Sequence, residues 1–159
     1  MSAGICEMIQ LPELEAQFPG LRGTNYDVVS PQTPNYNCIA WAAFDDHCWW
    51  WPDAFGLYFW PQGIQRASTV DAFATAFVGL GYELCANADH EDGFEKVAIF
   101  VSADGSVSHM ARERPDGTWT SKLGNSYDII HIALTDIQGQ EYGVFHCALR
   151  KQLSSPAVI

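Results

Sequence analysis

Apolar and polar positions change rhythm several times along the chain. Up to residue 34 turn formers dominate: "FPGLRG" and "SPQTP" interrupt every apolar run, leaving a short helix around Leu11 to Phe18 in a lead-in segment packed across the domain. From Cys38 the run Ile39, Ala40, Trp41, Ala42, Ala43, Phe44 favours a helix that starts where the prolines and asparagines stop, with Asn35 or Asn37 to cap it. "WWWPDAFGLYFWPQG" is too aromatic, and too broken by Pro52, Gly56 and Pro61, to be a helix; it reads as a loop folded onto the domain. In "STVDAFATAFVGLGYEL", Val70, Phe73, Phe77 and Leu80 recur at helical spacing, Ser68 and Asp71 hold capping-box positions and Gly81 is a stop, so a second helix runs from about Thr69 to Leu80.

Beyond the acidic loop "NADHEDGFE" the rhythm becomes that of strands. "KVAIFVS", "VSHMARER" and "TWTSKLG" are joined by "ADGS" and "PDG", two turns of hairpin length, and form an antiparallel meander. In "SYDIIHIALTDIQG" the positions Ile130, Leu134 and Ile137 favour a short helix capped by Ser126; a last strand "YGVFHCALR" follows, then a frayed tail "KQLSSPAVI". The expectation is an α+β fold: a Cys-bearing helix and a second amphipathic helix on an antiparallel sheet of about four strands. Residues 1–34 are the lead-in, 35–150 the single domain and 151–159 the tail; the chain has no internal repeat.

Composition narrows the classes. At 159 residues the chain closes one hydrophobic core, and no apolar run approaches the length needed to span a bilayer. The first residues, "MSAGICEMIQLPELEAQFPG", lack a basic region before their apolar ones, so a cytoplasmic location is expected. A formal net charge of -11 repels phosphate backbones and acidic lipid, which argues against nucleic acid and membrane partners. The five cysteines are odd in number, widely spaced and without zinc-type spacing, so neither disulfides nor a metal are expected, and Cys6, Cys85 and Cys147 read as buried thiols. "DHED" at 89 to 92 lacks an EF-hand pattern and reads as a solvated loop; no cofactor is expected.

One thiol stands apart. Cys38 lies at the seam between polar loop and helix, where amide donors and the positive end of the helix dipole are expected to lower its pKa. A nucleophilic cysteine needs an imidazole as base. His109 is mid-strand in "SVSHMARER", on one face with Val107, Ala111 and Glu113, where small neighbours leave room for a helix end. If "PDG" is a three-residue turn, His109 falls opposite Leu123 and Ser121 shares its face as the orienting group; a two-residue turn would substitute Lys122, with Asn125 and Asp128 as further alternatives. The Cys38 amide is one donor for an oxyanion, with Asn37 or Asn35 beside it.

The blocks "YNCIAWA", "WWWPD", "DAFATAFVGLGYELC", "EKVAIF", "HMARERPDGTWTSKLG" and "YGVFHCALRK" together resemble an uncharacterised family of small, mainly bacterial proteins. Its core pattern is similar to the papain-like and NlpC-like cysteine peptidase superfamily: a Cys at a helix start, a His on a strand, then a strand of the form W-x-S/H-K-x-G. The resemblance implies a papain-like α+β fold and a thiol hydrolase or acyltransferase acting on an amide or isopeptide bond of a peptide or protein, whether as peptidase, amidase, deamidase or transglutaminase. It implies Cys38 as nucleophile, His109 as base and Ser121 as orienting residue. Gln32, six residues before the cysteine, would assist at the oxyanion, and Trp41, Trp50, Trp51 and Lys122 would line the substrate groove. Ser121 departs from the usual His or Asn at the orienting position. The competing expectation is a non-catalytic interaction domain that keeps the fold and presents Trp49 to Trp51 to a partner.

Overall fold

The structure, a computed structural model, describes residues 11–153. Cys6 and the end of the expected tail, residues 154–159, lie outside that span. The strands are β1 (Asp27–Ser30), β2 (Glu83–Cys85), β3 (Phe94–Val101), β4 (Val107–Glu113), β5 (Trp119–Lys122), β6 (Asp128–His131) and β7 (Val144–Gln152). They form one antiparallel sheet in the order β1-β6-β5-β4-β3-β7-β2. The expected meander is its centre, but the sheet has seven strands, not about four.

The difference is β2, which pairs with β7 at one edge of the sheet, and two strands that correct the sequence reading. Residues 126 to 137 are not a helix: they form β6 and then a 3-10 turn at Leu134–Ile137. The helical spacing of Ile130, Leu134 and Ile137 is outweighed because β1 offers a ladder, pairing Asp27 with Ile130 and Val28 with Ile129. The Asp136 carboxylate then accepts from the amides of Ile132 and Ala133 and turns the chain. Second, part of the presumed lead-in is structural, since β1 closes one edge of the sheet, and Lys151 and Gln152 of the expected tail continue β7.

Among the described residues three α-helices complete the fold: α1 (Pro12–Gln17), α2 (Cys38–Ala42) and α3 (Val70–Val78). In α3 the cap is Thr69, whose hydroxyl accepts from the Ala72 amide at 3.2 Å, while the Ser68 carbonyl accepts from Val107. α2 stops after five residues because Phe44 takes a left-handed φ of 63°, which lets the Asp45 amide close back on the Ala40 carbonyl. A side chain costs something at such a position, and here the exposed ring is stacked 3.9 Å from the Arg112 guanidinium.

The sheet divides the core in two. On one face α2, α3 and the aromatic loop pack against Val97, Ile99, Met110 and Leu149. On the other, Leu14, Leu21, Tyr26 and Ile137 cover Ala98, Phe100, Ala111, Trp119 and Ile129. The alternation of β3 and β4 produces this split, since successive side chains point to opposite faces.

Candidate functional site

Cys38 is the first residue of α2, and its position is fixed by the residue before it. Asn37 is the cap: its Oδ1 accepts from the Ala40 amide at 3.1 Å and from the Trp50 amide at 3.2 Å, and its Nδ2 donates to the Trp50 carbonyl at 2.7 Å. One asparagine thereby starts the helix and ties it to the tryptophan triplet. The cysteine packs toward β4, and the backbone amides of Met110 on β4 and of Ile39 and Cys38 in α2 favour its thiolate form. β4 and β5 pair only through Arg112 with Thr120 and Glu113 with Trp119; beyond that the ladder opens.

The thiol pKa is not lowered, as the helix start suggested. Burial pushes it up to about 11, and the three amides and Lys122 offset only part of that. The reason is that Cys38 is 6% exposed while its helix has five residues, too few for a developed dipole. The resting group is the neutral thiol.

His109 is fully buried on β4. The β4–β5 turn has three residues, closed by Arg114 N–H to the Thr118 carbonyl at 2.7 Å with Gly117 at φ 86°. The register of Arg112 with Thr120 carries His109 opposite Leu123, and Ser121 comes to its face: Nε2 of His109 lies 3.0 Å from the Ser121 hydroxyl. Ser121 reaches a second imidazole, with Oγ 2.8 Å from Nε2 of His131, whose Nδ1 is 2.9 Å from the Ala133 carbonyl. Burial holds His109 well below 6.5 and His131 down to about 4, so both rings are neutral. Nδ1 of His109 is buried without a hydrogen-bond partner among the described residues.

The face of His109 differs from expectation. Its ring packs edge-on to Phe100 and lies flat on Tyr142 at 4.0 Å between centroids. It therefore sits in the layer of Phe100 and Ala111, whereas Cys38 belongs to the layer of Met110. α2 covers the faces of Ser108, Met110 and Arg112, and the thiol and imidazole stand on opposite sides of the opened β4–β5 ladder. Tyr142 connects the two: stacked on His109, it also walls a cavity of about 290 Å³ together with Cys38, Asn37, Trp49, Trp51, Tyr58, Ser108 and Gly124.

The remaining expected residues divide. Trp51 lines the cavity, but Trp41 and Trp50 do not: Trp41 donates to Thr120 and lies under Arg112, and buried Trp50 donates to Asp45. Gln32 is spent on the Ser126 hydroxyl at 3.3 Å and is not among the cavity walls. Lys122 neither lines a groove nor pairs at the surface. It is fully buried and donates to the carbonyls of Thr33, Gly124 and Ser126 at 2.7, 2.7 and 2.8 Å, pinning the two loops that flank Cys38. Asp128 is taken by the Tyr36 hydroxyl. Sequence reasoning missed His131, Tyr142, Ser108 and Tyr58, while Trp49, expected only on a partner-binding face, also walls the cavity; the signal for His131 was the alternation of Ile129 and His131 that marks a strand. Among the described residues no group of His, Cys, Asp and Glu has the arrangement to hold a metal ion, and no helix is long and apolar enough to cross a membrane.

Fold and site define a small α+β domain with a buried cysteine and a His–Ser–His row on either side of an opened strand ladder. The chain belongs to the family described as "Domain of unknown function (DUF7689)", matched over residues 27–150. The match begins at the first residue of β1, so the first strand is part of the family's domain. No curated protein and no solved structure matches the chain.

Proposed function

We propose that the domain is a papain-like thiol hydrolase or acyltransferase acting on an amide or isopeptide bond, with Cys38 as nucleophile and His109 as general base. What carries the reading is the vacant Nδ1 of His109: a neutral imidazole, held by Ser121 through its other nitrogen, with no partner for the first. A buried base without a bond is costly, and a reacting proton to accept is a reason for keeping that cost. The aromatic wall shared by Cys38 and Tyr142 and the amides that favour the thiolate add to it.

Because the resting thiol is protonated, attack and deprotonation go together. The S–H proton passes through the gap where the β4–β5 ladder opens to His109 Nδ1 as sulfur bonds to the carbonyl carbon; the amide nitrogen then leaves with that proton, and water or an amine resolves the thioester. The Cys38 and Met110 amides are the donors nearest the developing charge. Ser121 acts on the imidazole, and Asn37 on the helix start. The test is acylation by an activated aryl ester followed by intact-mass and peptide analysis. The reading expects one acyl group, on Cys38, absent in His109→Gln; an unmodified Cys38, or equal modification in the variant, would overturn it.

The interaction-domain reading has its own observation. Asp53 caps the loop after the tryptophans by accepting from the amides of Leu57 and Tyr58, and Arg66 clamps it through the Asp53 carboxylate and the Tyr58 carbonyl. This clamped loop presents Phe55 at 88% and Leu57 at 76% exposure, and its Tyr58 lines the cavity. Under this reading Phe55→Ser with Leu57→Ser abolishes association with a partner, whereas Cys38→Ser leaves it unchanged.

A further inference from the structure

We infer that His131 is a positioning residue of this site: acting through Ser121, it fixes the tautomer of His109 that leaves Nδ1 as the free base. This rests on the thiol reading above. The argument runs from one fixed end. The Ala133 carbonyl can only accept, so Nδ1 of neutral His131 carries that ring's proton, and its Nε2 is a bare acceptor. Ser121 has one hydroxyl proton, and the Nε2 of His131 at 2.8 Å takes it. Ser121 can then only accept from His109 at 3.0 Å, so the His109 proton is on Nε2 and its Nδ1 holds a lone pair.

A serine alone would be a weak orienting group, because its hydroxyl rotates and can donate or accept. With its proton committed to His131, Ser121 becomes a one-way acceptor. Tyr142 and Phe100 hold the His109 ring in place while this happens. When the thiol proton arrives at Nδ1, the imidazolium keeps its Nε2–H on Ser121 and no second proton has to move. Beside Ser121 and His109, the Ala133 carbonyl and the Asp136 carboxylate favour the charged form of His131, and burial outweighs both.

Two measurements test this together. Long-range proton–nitrogen correlation on ¹⁵N-labelled protein separates protonated from bare ring nitrogens, and the relay expects His131 as the Nδ1–H form and His109 as the Nε2–H form. The rate of Cys38 labelling by iodoacetamide is then compared in His131→Gln, whose amide oxygen can still take the Ser121 proton, and in His131→Leu and Ser121→Ala. The expected result is a rate within about twofold of the parent for Gln and about tenfold slower for Leu and Ala, the scale on which orienting partners of a working imidazole act. If labelling depends on His109 but not on His131, the relay is overturned and the thiol reading survives; if His109 carries its proton on Nδ1, both fall, because no lone pair is left there for the thiol proton. If labelling depends on neither histidine, both fall.

Discussion

Acidification from about pH 7.5 to about pH 5.5 should cost the fold about 1.4 kcal/mol through His131 alone. Burial holds that imidazole down to about 4 from an ordinary 6.5. The unfolded chain takes up the proton below 6.5 and the folded chain does not until near 4, so this stability is present above 6.5 and is lost as the pH falls between the two values. The loss is about 1.36 kcal/mol per pH unit, and the lower pH lies about one unit below 6.5. His109, depressed by burial and by the neighbouring His131, shifts stability in the same direction over that interval. Glu113 and Asp128, raised by burial, act in the opposite sense because they bind protons first in the folded state. The His131 part is therefore read as a difference between the parent and His131→Gln, which has no titrating ring there. The assay is urea unfolding followed by tryptophan fluorescence at both pH values. With a slope of about 2 kcal/mol/M, the parent midpoint should fall by about 0.7 M more than that of the variant. Equal falls would refute the claim that His131 is neutral and buried in the folded state.

Other perturbations probe the supports of the site. Lys122→Met leaves three carbonyls without their donor and should cost about 3 kcal/mol in urea unfolding; it should also speed labelling of Cys38, since the flanking loops lose their anchor. Asn37→Ala removes the helix cap and both bonds to Trp50, for about 2 kcal/mol, or about 6 °C in a thermal melt. Asp53→Ala should leave global unfolding nearly unchanged while accelerating limited proteolysis next to Phe55 and Leu57, because the loop loses its cap.

Much of the site's registry was legible from "PDG". Counting three residues in that turn placed Ser121 beside His109, and the observed ladder and the Gly117 conformation follow from the same count. The cap at Asn37 was equally local. What failed was non-local. β6 was read as helix because Ile130, Leu134 and Ile137 fit a helical spacing, and only the presence of β1 across the sheet decides for a strand; with β6 missed, His131 could not enter the site. The face occupied by α2 was misjudged because alternation says which side chains share a face, not which face a helix covers. The direction of the Cys38 pKa was misjudged for a related reason, since burial depends on packing that a helix-start signal does not contain. Lys122, a charged residue on a predicted strand, gave no sign that three carbonyls would surround it.

The claim that Cys38 and His109 work together is tested most directly by the iodoacetamide labelling rate of each cysteine across the pH range, resolved by mass spectrometry, in the parent and in His109→Gln. A thiol pushed up to about 11 and left to itself should be nearly inert at neutral pH. The account predicts that folded Cys38 nevertheless labels faster near neutrality than its burial allows, and that the advantage drops by about tenfold or more without the imidazole. A Cys38 that is inert in the folded protein, or that labels at the same rate in His109→Gln, would make it a structural thiol and contradict the account.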